Sequence, residues 1–139
     1  MKVVADTNVL VSGLIWRGPP ASVLDLGTSR LFSLVTSEEM LAELENVLSR
    51  RHLAARLRVR GQTVAGVMLT YRGVAEIIKP AELARPAALR DAKDLAVLRC
   101  ALAGDVDAIV TGDDDLLVLK DFRDIPILTP RQFLTSIGM

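Results

Sequence analysis

Short apolar runs alternate with stretches of helical period along this chain. Positions 2–5 predict a short buried strand that stops at the polar triplet Asp6-Thr7-Asn8. The apolar run 9–15 predicts a helix. Gly18-Pro19-Pro20 breaks the pattern and places Pro20 in the first turn of a second helix over 21–28. Positions 31–35 predict a second strand. Ser37, Glu38 and Glu39 then supply an N-cap and first-turn acids for a helix whose stripe is Met40, Leu41, Leu44, Val47 and Leu48.

From 50 to 72 the pattern is helical but less regular, with Gly61 and Gly66 as breaks or weak points. Positions 74–78 predict a third strand closed by Pro80, and Pro86 marks a loop. A helix over 91–103 ends at Gly104, and a fourth strand covers 107–110. The fifth strand, 125–128, contains Pro126, which places it near a sheet edge. A last helix starts at Gln132. Strands alternating with helices predict an α/β domain: a parallel sheet with helices on both faces.

Composition narrows the class. A chain of 139 residues, half of them hydrophobic and with mean hydropathy +0.35, has enough apolar material for one core and one domain, residues 1–139. That excludes an intrinsically disordered chain. The single cysteine, Cys100, excludes a disulfide scaffold and reads as a small buried hydrophobe. Asp6 interrupts the first apolar run, so no signal peptide is expected, and no stretch reaches a membrane span. The expected location is a reducing cytoplasm.

The formal net charge of zero hides a strong asymmetry. Residues 47–90 carry net +7, whereas residues 91–124 carry net −5 and nine aspartates. Neutrality therefore argues only against binding nucleic acid by bulk charge.

The placement of acids adds chemistry. Asp6 follows the first strand directly, and Asp113 lies just beyond the fourth. Sites in open parallel sheets form beyond the carboxyl ends of strands, where strand order reverses. Asp91 and Asp94 share one helix face, Asp115 shares the exit loop of Asp113, and Glu43 borders an apolar stripe. Each has a bland reading as a cap, turn or solvated residue. Converging carboxylates repel one another, and a divalent cation with a preference for oxygen, Mg²⁺ or Mn²⁺, resolves the conflict. No His/Cys cluster suggests zinc.

The joint pattern resembles the PIN-domain ribonucleases, in particular the bacterial and archaeal group described as toxin components of toxin–antitoxin pairs (VapC-like). The segments that carry the resemblance are Val3-Val4-Ala5-Asp6-Thr7-Asn8-Val9-Leu10, Ser37-Glu38-Glu39-Met40-Leu41-Ala42-Glu43-Leu44, Arg90-Asp91-Ala92-Lys93-Asp94 and Ala103-Gly104-Asp105-Val106-Asp107-Ala108-Ile109-Val110-Thr111-Gly112-Asp113-Asp114-Asp115-Leu116-Leu117. The ending Ile127-Leu128-Thr129-Pro130-Arg131-Gln132-Phe133-Leu134 is similar too. The resemblance implies metal-binding acids at Asp6, Glu43, Asp94 and Asp113, supported by Asp115 and Asp91. It implies that Thr7 and Asn8 shape the loop around Asp6 and that Thr111 hydrogen-bonds near the site. It further implies a three-layer α/β/α fold with about five parallel strands in the order 3-2-1-4-5, a homodimer, and a cognate antitoxin that covers or fills the acidic cleft. Lys93 is a departure, since relatives often carry a proline and a further acid in this stretch.

The basic segment complements the acids. Arg50, Arg51, Arg56, Arg58 and Arg60 cluster with His52. They read either as a solvated helix face or as a groove that tracks RNA phosphates, with Arg50, Arg51, Arg56 and Arg58 as its contacts. Trp16 and Tyr71 read as packing residues that could alternatively stack on bases. His52 is not needed as a base where metal activates water. The expected function is metal-dependent hydrolysis of RNA phosphodiesters. A phosphatase using Asp6 as nucleophile would want a second Asp where Asn8 stands. A non-catalytic RNA-binding or interaction module would not need the acids.

Overall fold

The computed structural model describes residues 1–83 and 92–139. The predicted loop at Pro86, the predicted helix start at Asp91 and the side chains of Arg85 and Arg90 lie outside the described residues.

The first strand, β1 (Lys2–Ala5), buries Val3, Val4 and Ala5 completely. Helix α1 (Thr7–Ile15) begins two residues before the predicted start, because extended Asp6 caps it and accepts from the Thr7 N–H at 2.7 Å. It ends at Trp16, and Gly18, at φ 119, turns the chain into α2 (Pro19–Thr28). Gly13 lets the two helices meet, since a Cβ there would lie 2.7 Å from the Pro20 carbonyl oxygen.

Strand β2 (Ser33–Thr36) starts later than the sequence pattern predicts: Arg30 adopts φ 64 and leaves Leu31 exposed. Ser37 then caps α3 (Glu38–Leu48), whose buried stripe is Met40, Leu41, Leu44 and Leu48. The ill-defined helical stretch resolves into α4 (Arg51–Val59) and α5 (Val64–Val74), separated at Gly61, which has φ 74. Gly66 is no break: it lies in the first turn of α5 and donates to the capping Thr63 hydroxyl. Because α5 runs on to Val74, strand β3 shrinks to Glu76–Ile77.

Helix α6 (Ala92–Gly104) and strand β4 (Ala108–Val110) follow. The left-handed residue after α6 is Asp105, not the glycine. Gly104 serves close packing instead, since a Cβ on it would lie 2.8 Å from Val35 Cγ1. A short helix α7 (Asp114–Leu117) leads into β5 (Asp121–Phe122), β6 (Ile125–Leu128) and α8 (Pro130–Ser136), the last closed by a Thr129–Gln132 capping box.

Among the described residues the sheet has six strands in the order β3-β2-β1-β4-β6-β5. The predicted fifth strand is β6, so the parallel order 3-2-1-4-5 is present, with antiparallel β5 added outside it. Strand β6 is therefore near the sheet edge, as Pro126 suggests, but second from it: Pro126 faces Asp121 of the edge strand β5. A two-residue strand after a short helix leaves too little periodicity to be read from sequence.

Alternating strand residues fill two cores. Val3, Ala5, Leu34, Ala108 and Val110 pack with residues of α1, α2, α3, α5 and α8. Val4, Val35, Ile109 and Ile127 pack with α6 and Leu116 of α7 on the other face. Cys100 is fully buried in the second core, and burial pushes its thiol up to about 12, in keeping with a packing role. Among the described residues no helix is long and apolar enough to cross a membrane.

Candidate metal centre

The strand order reverses at β1, which lies between β2 and β4. Asp6 leaves the carboxyl end of β1, and its N–H donates to the Val110 carbonyl at 2.9 Å. The chain leaving β4 passes Thr111 and reaches Asp113, which caps α7. Asp94 enters from the first turn of α6. Carboxylate oxygens of Asp6, Asp94 and Asp113 thus come within 4.8 Å of one another, the group of three found among the described residues. Asp6 and Asp94 are buried and Asp113 is partly exposed.

Asp6 and Asp113 are held by backbone or hydroxyl donors. Asp6 Oδ1 accepts from the Thr7 N–H at 2.7 Å, and Oδ2 accepts from the Thr111 hydroxyl at 2.8 Å. The same hydroxyl oxygen accepts from the Asp113 N–H at 3.0 Å, and Asp113 Oδ1 accepts from the Asp115 N–H at 2.9 Å. Burial raises the Asp6 carboxyl above its usual value. The bonds from Thr111 and Thr7 oppose that rise, and the Glu43 and Asp113 charges add to it.

The three acids line a cleft of about 380 Å³ together with Thr7, Asn8, Ser12, Glu43, Arg50 and Lys93. Glu43 stands beside the three rather than among them: Oε2 accepts from the Thr7 hydroxyl at 3.2 Å, and Oε1 lies 3.7 Å from Lys93 Nζ. Asn8 Oδ1 accepts from the Gly112 N–H at 3.4 Å and ties the two strand exits together. Asp115 is not among the cleft residues and meets Asp113 through its backbone, while Asp91 lies outside the described residues.

The basic residues divide. Arg50 reaches the cleft, whereas Arg51, Arg56 and Arg58 are exposed along α4. His52 is exposed and outside the cleft. Tyr71 is buried in the core, which removes it as a base-stacking residue, but Trp16 is 52% exposed. Sequence reasoning did not assign Lys93 to the cleft, although its place one residue before Asp94 was the available signal. A larger groove of about 530 Å³, bordered by α1, α2 and α5, contains none of the three clustered acids.

An all-oxygen donor set, in which hydrogen bonds orient Asp6 and Asp113 and burial disfavours Asp6 as an anion, fits a hard divalent cation. Fold and site together define a mostly parallel α/β domain with a cluster of three aspartates, fit for a divalent cation, at its switch point.

Residues 2–115 match the family described as the PIN domain, and the chain belongs to that family. Its members are generally metal-dependent nucleases. Among solved structures, the T. brucei RRP44 PIN domain is similar over 97% of this chain and 78% of that one, at 13% identity and TM-score 0.47. That likeness is too distant to carry residue roles. No curated protein matches the chain in sequence.

Proposed function

We propose that this PIN domain is an endoribonuclease dependent on Mg²⁺ or Mn²⁺ and that it is the toxin of a toxin–antitoxin pair, working in the cytoplasm as a homodimer. The convergence of Asp6, Asp94 and Asp113 carries the enzymatic reading. These three would hold the cation, with Glu43 reaching them from the cleft wall and Asp115 bracing Asp113. When bound, the cation supplies Lewis-acid polarisation of the phosphodiester and offsets the repulsion between phosphate and carboxylates.

The protein's own groups do the remaining work. Thr111 and the Thr7 N–H fix both oxygens of Asp6, so the carboxylate is oriented before substrate arrives. Arg50 and Lys93, which both line the cleft, draw a phosphate toward the acids. Arg51, Arg56 and Arg58 continue that positive path along α4.

Asp6→Asn and Asp113→Asn are each expected to abolish Mn²⁺-dependent RNA cleavage while the fold persists. Cleavage equal to wild type in both variants overturns the nuclease reading. The toxin role rests on the resemblance of the acidic motifs. It is tested by whether a small protein encoded beside this chain binds it and suppresses cleavage.

A further inference from the structure

The chain's one tryptophan stands in an unusual place. Trp16 ends α1 with half its surface exposed, and the Arg56 guanidinium lies over its ring at 4.2 Å from the centroid. Large aromatics left in water without a packing partner carry a solvation cost that a core position would remove. Here the indole is held by a cation on the protein surface instead.

Its position relative to the acids is specific. Val11 and Ser12 of α1 share the cleft wall with Arg50 and Leu53 at the start of α4. Further along, Arg56 covers Trp16, and Arg60 Nη1 donates to the Ile15 carbonyl at 2.7 Å. The two helices therefore leave the cleft side by side, and the Trp16–Arg56 pair marks the far end. Helix α1 has nine residues, about 14 Å at the α-helical rise. That is the span of roughly four stacked nucleotides, or fewer in an extended strand. Helix α4 carries Arg51, Arg56 and Arg58 and no acid.

We propose that Trp16, steadied by Arg56, is a base-stacking platform for single-stranded nucleic acid, a few nucleotides from the scissile phosphate. The indole takes an unpaired base on its face, and the guanidinium that orients it also meets the backbone. Duplex bases are already stacked on one another and cannot use the platform, so the contact selects single strands. The idea rests on the nuclease reading only for what the strand does once it reaches the cleft.

The single tryptophan makes the contact directly visible. In a chelator, with no cleavage, a short single-stranded RNA is expected to quench Trp16 fluorescence, whereas the same sequence as duplex leaves it nearly unchanged. By anisotropy of labelled RNA, Trp16→Ala is expected to weaken single-strand binding roughly five- to hundred-fold, the range of one base–aromatic stack, and Trp16→Phe to restore most of it. Arg56→Lys keeps the charge but loses the planar stack, so an intermediate loss is expected. Unchanged single-strand affinity in Trp16→Ala overturns the platform, as does an equal loss with duplex. So does a change in oligomeric state with binding intact, which would make the surface a protein interface. If wild type cleaves no RNA yet quenching persists, the nuclease reading fails and the platform stands. If cleavage proceeds and Trp16→Ala binds normally, the reverse holds.

Discussion

The Thr111 hydroxyl donates to Asp6 Oδ2 at 2.8 Å, in the buried space between the ends of β1 and β4. The same oxygen receives the Asp113 N–H, so one side chain sets the spacing of two clustered acids. Thr111 is itself fully buried. Thr111→Val keeps the shape and removes both bonds. The buried Asp6 Oδ2 loses a partner, at a cost of about 1–3 kcal/mol, and the part-buried Asp113 N–H loses one too, at a smaller cost. Loss of an outer-layer partner also lowers metal affinity by about 10- to 100-fold. Thermal unfolding with and without Mn²⁺ reads both effects, and Thr111→Ser, which keeps the hydroxyl, is expected to recover most of each.

Asp6 couples stability to pH and to metal in opposite directions. Burial raises its carboxyl above the ordinary value, so ionised Asp6 costs stability at neutral pH. As pH falls through the folded-state value that cost is relieved, and relief is complete below the unfolded value of about 3.9. Without metal, wild type is therefore expected to gain on Asp6→Asn as pH falls from 7 toward 4, on top of a pH-independent cost of the variant, whose amide offers one acceptor oxygen where the carboxylate offers two to Thr7 and Thr111. Metal shifts the balance toward wild type. A ligand at about 100 times its Kd adds roughly 2.7 kcal/mol to wild type. Asp6→Asn, Asp94→Asn and Asp113→Asn are expected to lose most of that gain. Melting curves across pH, with chelator or Mn²⁺, check both signs.

What the sequence made legible was what local pattern encodes. Strand β1 matched its predicted bounds because three apolar residues meet a capping aspartate, and β6 matched because Pro130 and the Thr129 cap close it. The strand exits carrying Asp6 and Asp113 were readable for the same reason. Strand β5 was hidden because two residues carry no period. The boundary between α5 and β3 was misplaced because Val74 suits either state, and tertiary contacts decide. In the site, long-range geometry was the missing ingredient. Nothing local tells that Thr7 engages Glu43, thirty-six positions away, or that Arg56 covers Trp16.

Gly104 illustrates the same limit and gives a packing test. The sequence suggests a helix-ending glycine, yet the constraint is the approach of α6 to Val35 of β2. Gly104→Ala drives a methyl to 2.8 Å from Val35 Cγ1 in a buried core. Overpacking is expected to cost about 1–3 kcal/mol, outweighing the gain in helix propensity. Denaturant unfolding checks this, and the cost is expected to be smaller in a Val35→Ala background because the two groups are in contact.

The basic helix makes a prediction about salt. If Arg50, Arg51, Arg56 and Arg58 contact phosphates, each contributes about 0.7 to the log–log salt dependence of single-strand binding. Replacing all four with glutamine is expected to weaken RNA binding and reduce the slope by up to about 3. Three of the four project into solvent on α4, so the fold is expected to survive. A slope equal to wild type returns this face to a solvated helix surface.

Glu43 separates holding the metal from shaping the cleft. Its oxygens engage the Thr7 hydroxyl and approach Lys93, and it stands outside the three converging aspartates while its charge still raises the Asp6 carboxyl. Glu43→Gln removes that charge but keeps an oxygen for Thr7. Asp6 then becomes easier to ionise, which favours metal, while any direct contact from Glu43 is lost. The expected net result is a Mn²⁺-induced rise in melting temperature that stays closer to wild type than in Asp94→Asn. Lys93→Met, by contrast, removes a cation from the mouth of the cleft and is expected to weaken RNA binding more than metal binding. Parallel Mn²⁺ and RNA titrations of the three variants resolve the roles. If Glu43→Gln loses the metal response as fully as Asp94→Asn, Glu43 is a ligand that turns from Thr7 and Lys93 toward the cation, and the cleft rearranges when metal enters.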